Sequence, residues 1–333
     1  MLNRRSLLAS ALAVPVGLKS RQAFAATERI DAAPWPTALL MATGRPGGAY
    51  TVYGPAWGAL AQQECGVSIA YLASGGAATD ILPIEQGAAQ LGMTTVTVAD
   101  QARTGTGAWT AGVKFDSFRA LFPIFPSVLQ IVVTQASGIT SLAGLSNRRI
   151  GVGPDGGSGS AALPALLASV GVRPSACVTG DYLPQINKLL SGALDACAFI
   201  GAPPQPAIQQ AAQQHRLGLV GFTPDETAQA VKTSAGLTAM VLPAGTFPNQ
   251  STPIASIGTA NFAIGAASLP DALVGALTMA AMKNRERLAA LVPALAAAPA
   301  PMLTGQGAMT FHPGAAIALR KLGMNVPAKF IES

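Results

Sequence analysis

Charge is scarce in this chain of 333 residues: Asp, Glu, Lys and Arg together make up 11% of it. Histidine occurs only as His215 and His312, and cysteine only as Cys65, Cys177 and Cys197. These shortages exclude several chemistries. The cysteines and histidines fit no metal-ligand spacing, so neither a metal centre nor a cofactor is expected. A serine nucleophile needs a base, usually histidine, and no segment reads G-x-S-x-G. Paired carboxylates for acid–base work are equally unsupported, because only Asp80 and Asp155 fall in glycine-rich loops. The expectation is a protein that is not an enzyme.

The formal charge of +6 suggests an acidic partner, but its position argues otherwise. Residues 1–25 carry Arg4, Arg5, Lys19 and Arg21 and no acid, which leaves 17 basic against 15 acidic residues in the remainder. Nucleic-acid binding is therefore not expected. The stretch "MLNRRSLLASALAVPVGLKSRQAFA" has a charged start, an apolar run too short to span a bilayer, and an A-x-A cleavage signal at 23–25. It reads as a signal peptide over 1–25, and Arg4-Arg5 before Ser-Leu-Leu resembles a twin-arginine motif, with the general secretory route left open. Beyond it no run of 18 apolar residues occurs, so a soluble periplasmic chain is expected.

Hydrophobic residues, at 50%, and glycine, at 36 residues, are abundant. Strand-like runs fall at 37–43, 67–72, 90–93, 119–125, 128–135, 149–153, 176–179, 194–200, 217–221 and 237–242. Helical patterns fall between them at 50–64, 77–88, 158–171, 182–191 and 204–214. A β-like stretch follows at 252–266, then helices at 270–297 and 314–323, with a Pro-rich loop at 298–302. The alternation implies an α/β fold with largely parallel sheets. In such a sheet the strand at 149–153 separates those carrying Cys177 and Cys197, which puts the two beyond disulfide reach and predicts free thiols.

Three glycine-rich loops sit between strands and helices: "TGRPGGAY" from 43, "LASGGAATD" from 72 and "GPDGGSGSAAL" from 153. Each alone is ordinary turn chemistry; together, at the carboxyl ends of strands, they predict a shared cleft. The third is no phosphate cradle, because the Walker spacing fails and no lysine occurs in 150–187. Gly151, Gly153 and Gly156 fit G-x-G-x-x-G, but Pro154 and Asp155 crowd the approach and no acid ends the next strand. What is left is a set of neutral donors. Gly156 and Gly157 let the chain turn, and Ser158, Gly159 and Ser160 offer N–H groups, with two hydroxyls, to a carboxylate at a helix N-terminus.

Six segments then occur in order: "TGRPGGAYTVYGPAWGALA", "ASGGAATDILPIEQGAAQLGM", "FRALFPIF", "SGITSLAGLSNRRIGVGPDGGSGSAAL", "GALDACAFIGAPPQPAI" and "FHPGAAIALRKLG". Together they resemble the TAXI family of solute receptors of tripartite ATP-independent periplasmic (TRAP) transporters, over about 37 to 323. The resemblance implies a two-lobed Venus-flytrap fold, each lobe a mostly parallel sheet flanked by helices. It also implies a small organic-acid ligand (glutamate, a dicarboxylate or a similar carboxylate) and TRAP permease membrane subunits as partners. A receptor of an ABC or tricarboxylate-type transporter, or an exported hydrolase, is the alternative. The chain departs from the family pattern at Arg45, at Thr95-Val96-Thr97 and at Phe125.

The first lobe is expected over 34–125 plus 243–333 and the second over 126–242, with hinges near 125–128 and 240–243, in a monomer. The candidate ligand residues are Thr43, Gly44, Arg45, Gly48, Tyr50, Ser74, Gly75, Gly76, Thr95, Gly156, Gly157, Ser158, Gly159, Ser160, Tyr182 and Gly201. Arg45 is either a solvated loop charge or a lid cation. Tyr50 and Tyr182 either pack their helices or face the cleft.

Overall fold

The computed structural model describes residues 35–292 and 309–331. The leader with its cleavage signal, the loop at 298–302 and the end of the helix expected over 270–297 lie outside the described residues.

The chain begins by alternating strand and helix: β1 (Ala38–Ala42), α1 (Tyr50–Cys65), β2 (Ser68–Leu72), α2 (Ala77–Glu85) and β3 (Leu91–Thr95). Helix α3 (Val96–Thr104) follows directly, then the long strand β4 (Phe118–Thr134). The alternation resumes with β5 (Arg149–Gly151), α4 (Ser158–Ser169), β6 (Ala176–Val178), α5 (Tyr182–Leu190), β7 (Ala196–Gly201), α6 (Pro206–Gln214), β8 (Leu217–Val220), α7 (Pro224–Thr233) and β9 (Leu237–Leu242). It closes with β10 (Ile254–Ala266), α8 (Asp271–Lys283), α9 (Arg285–Leu291) and α10 (Pro313–Lys321).

The strands join in the order β2-β1-β3-β10-β4-β7-β5-β6, with β8 beside β4 and β9 beside β10. Pairing is parallel within β1–β3 and within β5–β7, while β4 and β10 run antiparallel to their neighbours. Parallel pairs need helical crossovers, which is why helices cover the sheet. Strand β5 lies between β6 and β7, so Cys177 and Cys197 sit two strands apart, and all three cysteines are free.

Three hydrophobic clusters divide this sheet. One gathers β1–β3, the first part of β4, the last part of β10, α8 and α10, including Trp57, Phe122, Phe262 and Phe311. The other two cover opposite faces of the β4–β7 region, one around Leu163 and Ile150 and the other around Phe199 and Ile186. Two lobes result, and only β4 and β10 thread both. On β4 the core changes over between Phe125 and Val128. On β10 it changes between Ile257 and Ala260, not at 240–243. There β9 pairs with the start of β10, and Leu242 and Phe247 pack in the second lobe.

Strand β4 also corrects the expectation of two strands at 119–125 and 128–135. Pro123 and Pro126 lack the N–H that a ladder uses, yet the strand runs through them. Its pairing with β10 shifts register between Ala260 and Phe262, opposite these prolines, and the irregularity accommodates the missing donors. Among the described residues no helix is long and apolar enough to cross a membrane.

Candidate functional site

The three glycine loops meet where the lobes face each other. Gly44 and Gly47 turn the first loop with φ of 76° and 84°. The Gly44 N–H donates to Ser74 Oγ at 2.9 Å, which ties the first loop to the second. Ser74 Oγ also accepts from the Gly76 N–H at 3.1 Å and donates its own proton to Asp80 Oδ1. Asp80 is fully buried, and its other oxygen accepts from the Met93 N–H. Burial pushes this carboxyl up to about 7, against the lowering effect of the Ser74 hydroxyl and the Met93 and Gly44 N–H groups.

The third loop belongs to the other lobe and lies directly on the second. The Gly156 carbonyl accepts from the Ala78 and Thr79 N–H groups at 2.9 and 3.2 Å, at the N-terminus of α2. Here the glycines have a steric reason. A Cβ on Gly75 would lie 1.7 Å from the Asp155 carbonyl oxygen, and one on Gly76 would lie 3.2 Å from the Gly157 Cα. The lobes are therefore closed, backbone against backbone. Two further contacts bridge them. Gln205 Nε2 donates to the Gly47 carbonyl at 3.4 Å, and Arg45 Nε stands 3.8 Å from Asp181 Oδ1 with both side chains about half exposed.

Behind the loops lies a cavity of about 40 Å³. Ten of the sixteen residues expected at the ligand line it: Gly44, Arg45, Gly48, Tyr50, Gly75, Gly76, Gly157, Ser158, Tyr182 and Gly201. Tyr50 is buried, and its hydroxyl donates to Asn261 Oδ1 at 2.5 Å. Asn261 Nδ2 in turn donates to the Phe125 carbonyl and to Ser127 Oγ. A side chain from the first loop is thus fixed to both long strands at the crossing. Burial, with Asp80 second and Tyr182 third, raises the Tyr50 hydroxyl well above its ordinary value, so it stays protonated and can donate. Tyr182 stands edge-on to Phe199, with ring centres 5.1 Å apart, and burial raises its hydroxyl to about 12.

The other six expected residues do not line the cavity. Thr43 is buried with its N–H donated to the Leu72 carbonyl, closing the end of β1 on β2. Ser74 serves Asp80 and the loop amides from behind. Thr95 caps α3, its Oγ1 accepting from the Val98 N–H, so it is committed to the helix that sequence reading missed. Gly156 gives its carbonyl to α2. Gly159 packs against the Val152 carbonyl, where a Cβ would come within 2.1 Å. Ser160 Oγ donates to the Gly157 carbonyl at 3.1 Å and offers nothing to the cavity.

Sequence reading missed Ala49, Ala77, Ser127, Ile200 and Ala202 in the lining and named Phe125 only as a family departure. Ser127 carried a signal, since it sits on the hinge segment expected at 125–128. The positive elements of the site are few. Helix geometry leaves the Ser158, Gly159 and Ser160 N–H groups without intrahelical acceptors, and the α4 dipole favours an anion there. The N-terminus of α2 is already answered by the Gly156 carbonyl. Of the two histidines weighed as bases, His312 caps α10 through Nδ1, with Nε2 on the Leu269 carbonyl and burial lowering its pKa. His215 ends α6.

Residues 41–323 match the NMT1-like family, and the chain belongs to it. Among solved structures it is similar to PhnD1 from Prochlorococcus marinus MIT 9301 in complex with methylphosphonate, with a TM-score of 0.53 and 13% identity over 87% of this chain and 100% of that one. A structure described as a periplasmic transporter gives 0.50 and 14% over 78% and 87%. A TctC solute binding protein from Polaromonas gives 0.49 and 16% over 78% and 88%. The shared feature is the fold, that of two-domain periplasmic binding proteins.

Proposed function

We propose that this member of the NMT1-like family is a receptor that closes its two lobes around a small organic acid and presents it to a TRAP-type membrane permease. The leader over 1–25 takes it to the periplasm, and no covalent step is involved. One observation carries the reading: the cavity at the lobe junction is walled by all three glycine loops and faces the open N-terminus of α4. A carboxylate there meets the Ser158 hydroxyl, free helix N–H groups and the Arg45 guanidinium, each a donor that strengthens when the acceptor is charged. Closure then follows from binding, because a ligand held by both lobes favours the form in which they meet.

The test is a thermal-shift screen of the exported chain against a library of small acids, followed by calorimetry. A rise in melting temperature with at least one acid is expected, and no rise with any acid overturns the reading. The transporter class is tested by uptake through the cognate permease: transport that persists without ATP hydrolysis fits TRAP, and transport that needs ATP replaces it with the ABC alternative.

A further inference from the structure

A second cavity, of about 250 Å³, lies beside the first and shares Gly48, Ala49, Tyr182, Gly201 and Ala202 with it. Its remaining described walls are mostly apolar: Val52 of α1, the Pro203-Pro204 step, Pro206, and Leu291 and Val292 at the end of α9. Two of its three polar side chains, Thr51 and Gln205, are already engaged, which leaves the Tyr182 hydroxyl on the wall it shares with the inner cavity. Thr51 Oγ1 donates to the Gly48 carbonyl at 2.8 Å. The Gln205 side-chain oxygen caps α6 by accepting from the Ala207 and Ile208 N–H groups.

Charge points the same way. Among the described residues that line either cavity, Arg45, at the inner one, is the one charged side chain, and Asp181 stands 3.8 Å from it. Of the helix N-termini at the inner cavity, that of α2 is answered by the Gly156 carbonyl, while those of α4 at Ser158 and of α1 at Ala49 and Tyr50 stay open, so the cavity gathers its positive poles around one guanidinium. The inner cavity holds about three water-sized groups, the size of one carboxylate. A second carboxylate would have to enter the apolar cavity without a cation, where an unpaired charge is strongly disfavoured.

Resting on the receptor reading above, we infer that the ligand is an amphipathic monocarboxylate, its carboxylate in the inner cavity and an aliphatic or aromatic body in the outer one. This excludes the dicarboxylates that the family resemblance alone suggested. Each methylene moved from water into the outer cavity tightens binding about fourfold.

The experiment is calorimetry on the exported chain with straight-chain monocarboxylates from propanoate to octanoate and with diacids of matching length. Affinity rising about fourfold per methylene, with each diacid at least about tenfold weaker than its monoacid, is expected. Val52→Asn, at an exposed position in the first turn of α1, should weaken octanoate by about fivefold and leave propanoate unchanged. Leu291→Asn, on a different helix and also exposed, supplies the same readout if the first variant does not fold. Equal or tighter binding of the diacids, or affinity that does not vary with chain length, overturns the inference alone and leaves the outer cavity to solvent or to another part of the chain. Failure of every acid to bind overturns the receptor reading together with it.

Discussion

Gly75→Ala is the sharpest perturbation that the closed lobes suggest. Gly75 does not adopt a left-handed backbone, so alanine fits its conformation within the first lobe. The main obstacle lies across the cleft, where the new Cβ would meet the Asp155 carbonyl oxygen at 1.7 Å and its carbon at 2.9 Å; within the first lobe it would stand 3.0 Å from Thr79 Oγ1, the end of a side chain that can shift by a few tenths of an ångström. Restoring an ordinary contact needs a retreat of about 1.5 Å. The two hydrogen bonds from Ala78 and Thr79 to the Gly156 carbonyl, at 2.9 and 3.2 Å, would then exceed bonding distance. At a net value of about 1 kcal/mol each, their loss disfavours the closed form by about 2 kcal/mol. That corresponds to about thirtyfold in the closed population and, because binding requires closure, in Kd.

Calorimetry with whichever acid the screen returns measures the loss, and small-angle scattering reports whether the liganded variant stays expanded. The melting temperature of the ligand-free variant should stay within about 2 °C of the parent, since no contact inside either lobe is lost. Binding as tight as the parent's refutes the closure argument. A large drop in the ligand-free melting temperature refutes it too, because the damage would then lie within the first lobe.

Two other outcomes follow from the same site. Asp80→Asn removes a carboxyl whose folded value, about 7, lies above the ordinary 3.8. The fold therefore holds that proton more tightly than the unfolded chain, and this contribution to stability is lost as pH rises from about 4 to 7, by about 4 kcal/mol. Urea titrations at pH 4 and pH 8 should show a smaller loss in the variant than in the parent by about that amount, and equal losses would show that Asp80 titrates normally. Ser158→Ala should weaken acid binding about tenfold, the value of one hydrogen bond to a charged group. Ser160→Ala should leave it unchanged, because that hydroxyl serves the Gly157 carbonyl. Equal effects of the two serines would relocate the anion.

The alternation of strand and helix was legible because each crossover restarts a short hydrophobic run after a polar helix face. The three loops were legible from glycine alone, and the separation of Cys177 from Cys197 followed from parallel topology. Two helices were not read. For α7 a capping box stood in plain view, since Thr223 and Glu226 exchange both bonds of the motif. For α3 the β-branched run "TTVTV" continues β3 without a break, and only the Thr95 cap marks the change. Strand β4 was divided at its prolines because their cost in a ladder is local, whereas the register shift that absorbs it is set by β10. The changeover of cores within β10 depends on β9 pairing, a tertiary fact with no local signature.

Glycine 75, 76, 156 and 157 pose the deeper ambiguity. From sequence they look like one device repeated, a turn that frees backbone N–H groups for an anion. In the fold they divide the work. Gly75 and Gly76 clear space for the opposite lobe, and the carbonyl of Gly156 occupies the positive end of α2. Two loops that each promised an anion site therefore neutralise one of them against the other. α4 keeps its N-terminus open to the cavity, with Ser158 at its edge, and so does α1 at Ala49 and Tyr50. One partly engaged guanidinium beside these poles, in a cavity of about 40 Å³, matches one carboxylate, and the apolar cavity next to it gives the rest of the molecule a place to be dry. The glycines that make closure possible thus also limit the charge that closure can enclose.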